Sequence, residues 1–212
     1  MQAAVVVASI VAAAAAIANW WSRWRDDSRV ELVSKPLATI AIAVLGVVVA
    51  DDVSTGAIVA AVVGFACCLA GDVALLPAID RFVTGLVCFL AGHLAFVVMF
   101  VLLGLDRWWL GLVALAGVAC VALLAGRRIV AGAREQDPGL AVPVQVYLAI
   151  ICAMAVIGWS TGRTAAMAGS ALFVASDAML GWRQFVRSRP WMPVAVMVTY
   201  HGALTGLALS LA

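Results

Sequence analysis

Along this chain the apolar positions fall in long unbroken runs, and the charged positions gather in the gaps between them. The runs cover about residues 2–20, 36–50, 56–76, 82–105, 108–125, 142–159, 164–181 and 194–212. Most approach the roughly 20 residues that a helix needs to cross the hydrocarbon core; the second is short. Period-two alternation is not sustained in any of them, so the roughly ten-residue dyad strands of a membrane barrel are not predicted. Lipid offers the backbone no hydrogen-bond partner, which leaves helices as the spanning structure. The expectation is an all-α membrane protein, an eight-transmembrane-helix bundle forming a single domain over residues 1–212. No Lys or Arg precedes the first run, and Asn19-Trp20-Trp21-Ser22-Arg23-Trp24-Arg25 follows it, so it reads as a retained first helix rather than a secretory leader.

Composition agrees: 66% of residues are apolar and 11% charged, with a mean hydropathy of +1.14. Nothing remains for a soluble domain. The lipid bilayer is one expected partner and nucleic acid is not, while the oligomeric state stays open. Net charge is only +2, so the distribution of charge says more than its sum. The connections after runs one, three, five and seven carry Arg23, Arg25, Arg29, Lys35, Arg81, Arg127, Arg128, Arg134, Arg183, Arg187 and Arg189; the others carry only Arg107 and Arg163. By the positive-inside rule the basic connections are cytoplasmic and both termini outside, in a membrane of the bacterial inner (plasma) type. The five cysteines, Cys67, Cys68, Cys88, Cys120 and Cys152, lie inside apolar runs without metal or redox spacing and read as small packing residues. The eight tryptophans stand at run ends and read as an interfacial belt.

Against this background Asp72 and Asp177 stand out. They occupy matched settings, Ala-Gly-Asp-Val-Ala-Leu (70–75) and Ala-Ser-Asp-Ala-Met-Leu (175–180). A carboxyl group at membrane depth is expensive, and a matched pair is a functional-site hypothesis by default. Each lies about five residues, at roughly 1.5 Å per residue, from the cytoplasmic end of its run. Lys35, Tyr147, Tyr200 and His201 enter from the same side, Ser176 adjoins Asp177, and His93 lies deeper. One cavity opening toward the cytoplasmic leaflet would serve them all. Plainer readings stay open: structural aspartates, a snorkelling Lys35, a core His93, interfacial tyrosines. The two Asp motifs are 105 positions apart, the same offset relates Gly64 to Gly169, and two parallel four-helix repeats would follow.

Ser34-Lys35-Pro36, Gly71-Asp72-x-x-Leu75, Gly85-x-x-x-Phe89-x-x-x-His93, Pro143-Val144-x-x-Tyr147 and Gly169-x-x-Leu172-Phe173-x-x-Ser176-Asp177-x-x-Leu180 together resemble, in order, the YhhN-like lysoplasmalogenase family of membrane proteins. The resemblance covers runs two to eight. It implies a lysophospholipid substrate, hydrolysis of a lysoplasmalogen vinyl ether to a fatty aldehyde and a glycerophospho-head group, and essential acidic roles for Asp72 and Asp177. Two positions depart from the family pattern: Phe96 where a Tyr is usual after the His, and Leu204 where a Gln is usual after Tyr-x-x-Ala. Both departures point to altered head-group or aldehyde contacts.

The residue types suit that chemistry. Vinyl ethers hydrolyse in acid, through protonation of the β-carbon to an oxocarbenium ion that water captures. A catalyst needs one carboxylic acid that keeps its proton near neutral pH and a second carboxylate, as in glycoside hydrolysis. Two close aspartates would share a proton and divide the roles of acid and base. Asp177, whose flanks are at least as apolar as those of Asp72 and whose neighbour Ser176 offers no charge, is the expected acid. Lys35 is expected to hold the phosphate, with Ser176, His93, Tyr147 and Tyr200 around the substrate. No cofactor or metal is expected. Two other classes remain: a proton-coupled transporter of a small or lipid-like solute, built on intramembrane Asp and His, and a metal-dependent lipid hydrolase with His93, His201 and the aspartates as ligands.

Overall fold

A computed structural model describes residues 2–212, which form eight long helices with short connections. They are α1 (Gln2–Arg25), α2 (Ser28–Val49), α3 (Thr55–Ala74), α4 (Phe82–Leu103), α5 (Trp108–Gln136), α6 (Ala141–Ser160), α7 (Thr164–Phe185) and α8 (Met192–Leu209). All eight are long and apolar enough to cross a bilayer. The protein is an integral membrane protein, and its outer face shows lipid the side chains lipid requires: Val6, Ile10, Val44, Val59, Val98, Leu112, Leu123 and Val142 are all exposed.

Four of the helices outrun the expected segments at the ends that carry the basic connections, for physical reasons. Helix α2 begins eight residues before Pro36, because Asp27 caps it, accepting from the Arg29 and Val30 amides at 3.0 and 3.2 Å. Its early polar residues are satisfied sideways: Glu31 binds Arg23 of α1, and Asn19 of α1 donates to Ser34 at 3.3 Å. Helix α5 does not stop near residue 125 but passes through a π-turn at Ala122–Gly126 and continues from Arg127 to Gln136. Helices α1 and α7 likewise run on to Arg25 and Phe185.

Consecutive helices pair most extensively, as the hairpins α1–α2, α3–α4, α5–α6 and α7–α8. The main contacts between the halves of the chain are α2 and α1 packed on α8, and α4 packed on α6. Small residues permit the closest approaches. A Cβ on Gly169 would lie 2.8 Å from the Leu207 amide nitrogen, and one on Gly206 2.6 Å from the Gly169 Cα, so α7 and α8 meet backbone to backbone. At Gly64, the offset partner of Gly169, the Phe96 ring occupies the space instead. Phe96 also meets Phe65 edge-on, and Phe173 stands edge-on to both His93 and Tyr200. This aromatic core supports the polar groups beneath it.

The Trp belt is only part of the picture. Trp21, Trp24, Trp108, Trp109 and Trp191 are exposed near helix ends. Trp20, however, points inward and donates its indole N–H to His201 Nδ1 at 3.0 Å, and Trp159 donates to the Met167 carbonyl at 3.0 Å. An indole inside a bundle needs such an acceptor.

Candidate active site

Asp72 and Asp177 both line one cavity of about 350 Å³, together with Lys35, Ser176, Tyr200, Arg23, Glu31, Asp80, Arg183 and Gln184. Asp72 stands in the last turn of α3, whereas Asp177 is eight residues before the end of α7. They share the cavity because α7 projects farther out than α3.

Each carboxylate has its own set of donors. Asp72 Oδ2 accepts the Thr39 hydroxyl at 2.5 Å and the Tyr200 hydroxyl at 2.8 Å. Its Oδ1 has no hydrogen bond but faces the Lys35 ammonium at 3.6 Å. Lys35 also donates to the Asp72 backbone carbonyl at 3.3 Å. Asp177 Oδ2 accepts the Tyr147 hydroxyl and faces His93 Nε2 at 3.1 Å, and His93 Nε2 lies 3.0 Å from the Tyr147 oxygen. His93 Nδ1 is buried without a partner. A proton there would be an orphaned donor and would turn a bare Nε2 lone pair on a carboxylate, so the hydrogen belongs on Nε2 and is donated to Asp177.

No hydrogen bond joins the two carboxylates among the described contacts, so the sequence-based expectation of a shared proton is replaced by two separately braced acids. The bracing is crosswise. Asp72 on α3 is held from α2 and from α8; Asp177 on α7 is held from α6 and from α4. Each third helix of a four-helix unit thus takes donors from the second helix of its own unit and the fourth helix of the other. The correspondence is the one that two parallel four-helix units would produce.

Four of the expected site residues have protein partners of their own. Lys35 lines the cavity with only 4% of its surface exposed, and its ammonium faces Asp72. Ser176 lines the cavity too, yet its hydroxyl donates to the Val196 carbonyl at 3.1 Å and ties α7 to α8. His93 and Tyr147 do not form the cavity wall; they stand behind Asp177, Tyr147 bordering a narrow apolar slot that adjoins the cavity at Leu75, Phe82, Phe89, Asp177 and Leu180. Phe96 and Leu204 are fully buried in the core and touch neither space, so the two departures from the family pattern do not alter the cavity wall.

Sequence reading missed Thr39, Glu31, Arg23 and Arg183. Thr39 had a signal, one helical turn after Lys35 and hence on the same face. His201, a candidate ligand by sequence, is bound to Trp20 and belongs to a different network from His93. Among the described residues no three His, Cys, Asp or Glu side chains come together as a metal site.

The chain is 31% identical over 145 residues to lysoplasmalogenase TMEM86B of Homo sapiens, covering 68% of this chain and 59% of that protein. It is 30% identical over 144 residues to lysoplasmalogenase TMEM86B of Rattus norvegicus, covering 68% and 58%. The match therefore spans somewhat under two thirds of the length of these relatives. No solved structure matches. The YhhN family model matches residues 30–211, which take in helices α2 to α8 and every residue that braces the two aspartates, and the chain belongs to the YhhN family.

Proposed function

We propose that this protein is an intramembrane hydrolase that cleaves the vinyl ether of lysoplasmalogens, releasing a fatty aldehyde and a glycerophospho-head group. The observation that carries the reading is the pair of buried carboxylates, differently braced, on one cavity that is polar at its wall and adjoins an apolar slot. The TMEM86B relatives named as lysoplasmalogenases support the same substrate class.

The two environments divide the labour. Asp72 faces the Lys35 ammonium and takes two hydroxyl donors, and it serves as the fixed carboxylate. At Asp177 both described donors fall on Oδ2, leaving Oδ1 to carry a proton toward the cavity. Asp177 transfers that proton to the β-carbon of the vinyl ether, and the double bond becomes an oxocarbenium ion stabilised by the nearby carboxylates. Water adds to the cation, with the Asp177 carboxylate taking its proton back. The hemiacetal collapses to aldehyde and alcohol. Tyr147 and His93 hold Asp177 in position throughout.

Arg23, Arg25 and Arg183 in the last turns of α1 and α7 gather at the end of the bundle where the cavity lies, which supports an active site on the cytoplasmic leaflet with both termini outside. A bacterial inner membrane suits that orientation.

The test is mass spectrometry of products after purified protein is incubated with vinyl-ether, alkyl-ether and ester lysolipids. Aldehyde from the vinyl ether alone is the expected result, lost in Asp72→Asn and Asp177→Asn variants that still insert and purify. Near-wild-type turnover in either variant sinks the mechanism. Solute uptake into proteoliposomes without aldehyde release moves the protein to the transporter class.

A further inference from the structure

The cavity wall holds three cations, and two are already spoken for. Arg23 is bonded to Glu31, and Lys35 faces Asp72. The third is Arg183, half-buried in the last turn of α7, which has no ion pair and no side-chain hydrogen bond among the described residues. The remaining acids of the wall, Asp80 and Asp177, are not paired with it either. Glu31 and Asp26 lie within charge range of it, but Glu31 is bonded to Arg23 and neither fills its fork of donors; a guanidinium in the wall of a membrane protein gains from an anion that does. Its planar fork of donors is the group best shaped to grip a phosphate through two oxygens.

The spacing suits a lysolipid. Arg183 follows Asp177 by six residues on α7, about 9 Å of helix. The ether oxygen of a lysophospholipid is five bonds from its phosphorus, roughly 6 Å when extended, and the flexible arginine side chain spans the difference. With the reacting bond at Asp177 the phosphate falls at the cavity mouth, beside Arg183.

We infer that Arg183 forms a phosphate-binding subsite at the cavity mouth, taking the head-group phosphate of a lysophospholipid, a role that Lys35 is too deeply engaged to fill. This rests on the lysolipid reading of the cavity. It does not rest on bond cleavage.

The experiment measures binding by isothermal titration calorimetry with the full chain in nanodiscs. The probes are a 1-O-alkyl lysophospholipid, whose saturated ether resists vinyl-ether chemistry, the matching phosphate-free 1-O-alkylglycerol, and inorganic phosphate alone. Arg183→Gln is expected to weaken the lysophospholipid about ten- to hundredfold while leaving the alkylglycerol within twofold, the size of one charge-assisted contact. Arg183→Lys, which keeps the charge and loses the fork, falls between, and it carries the comparison where the Gln variant fails to accumulate. Equal loss for both lipids, or no loss for either, overturns the inference. Inorganic phosphate binding as tightly as the lysolipid overturns the lipid assignment in favour of a free-anion site. If the vinyl-ether lysolipid binds in an Arg183-dependent way but is not cleaved, the hydrolase reading fails and the subsite stands; cleavage with an Arg183-independent KM gives the reverse.

Discussion

The Lys35 ammonium stands 3.6 Å from Asp72 Oδ1 and 3.3 Å from the Asp72 carbonyl oxygen, with both residues buried. A lysine near a helix end in a membrane ordinarily reaches for the interface; this one turns inward and serves an acid. Its removal leaves a buried carboxylate unpaired. Lys35→Met is therefore expected to destabilise the protein by about 3–5 kcal/mol. Adding Asp72→Asn restores part of that loss, a coupling of about 1–3 kcal/mol in a double-mutant cycle of unfolding in detergent. Additive effects would mean that the pair does not interact.

Tyr147→Phe removes one of the two donors on Asp177 and leaves His93 in place. Aldehyde release is expected to fall about tenfold to a hundredfold, at a stability cost of about 1–2 kcal/mol. The corresponding change at Tyr200 leaves Asp72 with Thr39 and Lys35, and its rate falls less. Single-turnover kinetics on both variants give the comparison, and equal losses would remove the distinction between the two aspartates.

Gly169→Ala places a methyl group 2.8 Å from the Leu207 amide nitrogen and 2.9 Å from the Ala203 carbonyl oxygen. Backbone cannot swing aside as a side chain can, so α7 and α8 must part. A loss of about 1–3 kcal/mol is expected. Gly117→Ala is the control, because a Cβ there meets nothing within 4 Å and a mid-helix glycine is itself unfavourable by roughly 0.5–1 kcal/mol. Thermal unfolding of the two variants should move in opposite directions.

His93 and His201 sit in separate networks, one on Asp177 and one on Trp20. Treatment with EDTA or phenanthroline is expected to leave aldehyde release unchanged. Loss on chelation with recovery on adding a divalent ion would revive the metal-dependent reading.

The number of helices and their approximate positions were legible because a long apolar run in a membrane has one stable outcome. What hydropathy could not see was a helix that continues through polar residues. Glu31, Ser34 and Lys35 look like loop until Arg23, Asn19 and Asp72 are placed against them, and Arg127 and Arg134 extend α5 past the end of its apolar run. The polar inventory of the site was legible for a related reason: few charged or aromatic polar groups stand so deep, so Asp72, Asp177, His93, Tyr147 and Tyr200 were easy to single out. Their pairing was not. Which tyrosine meets which aspartate depends on helix packing across the two halves of the chain, and a lysine's direction at a helix end is not written in hydropathy.

The crosswise bracing also sets an order on the making of this protein. Asp72 enters the membrane with the third helix, when Lys35 and Thr39 are present but Tyr200 is still many residues from being synthesised. Asp177, by contrast, arrives after both of its donors, His93 and Tyr147, are already in place. The nascent chain must therefore carry one half-satisfied acid in the bilayer until the final helix is released from the ribosome, and a chain truncated before residue 200 would be left with that acid exposed to whatever quality control surveys newly inserted helices.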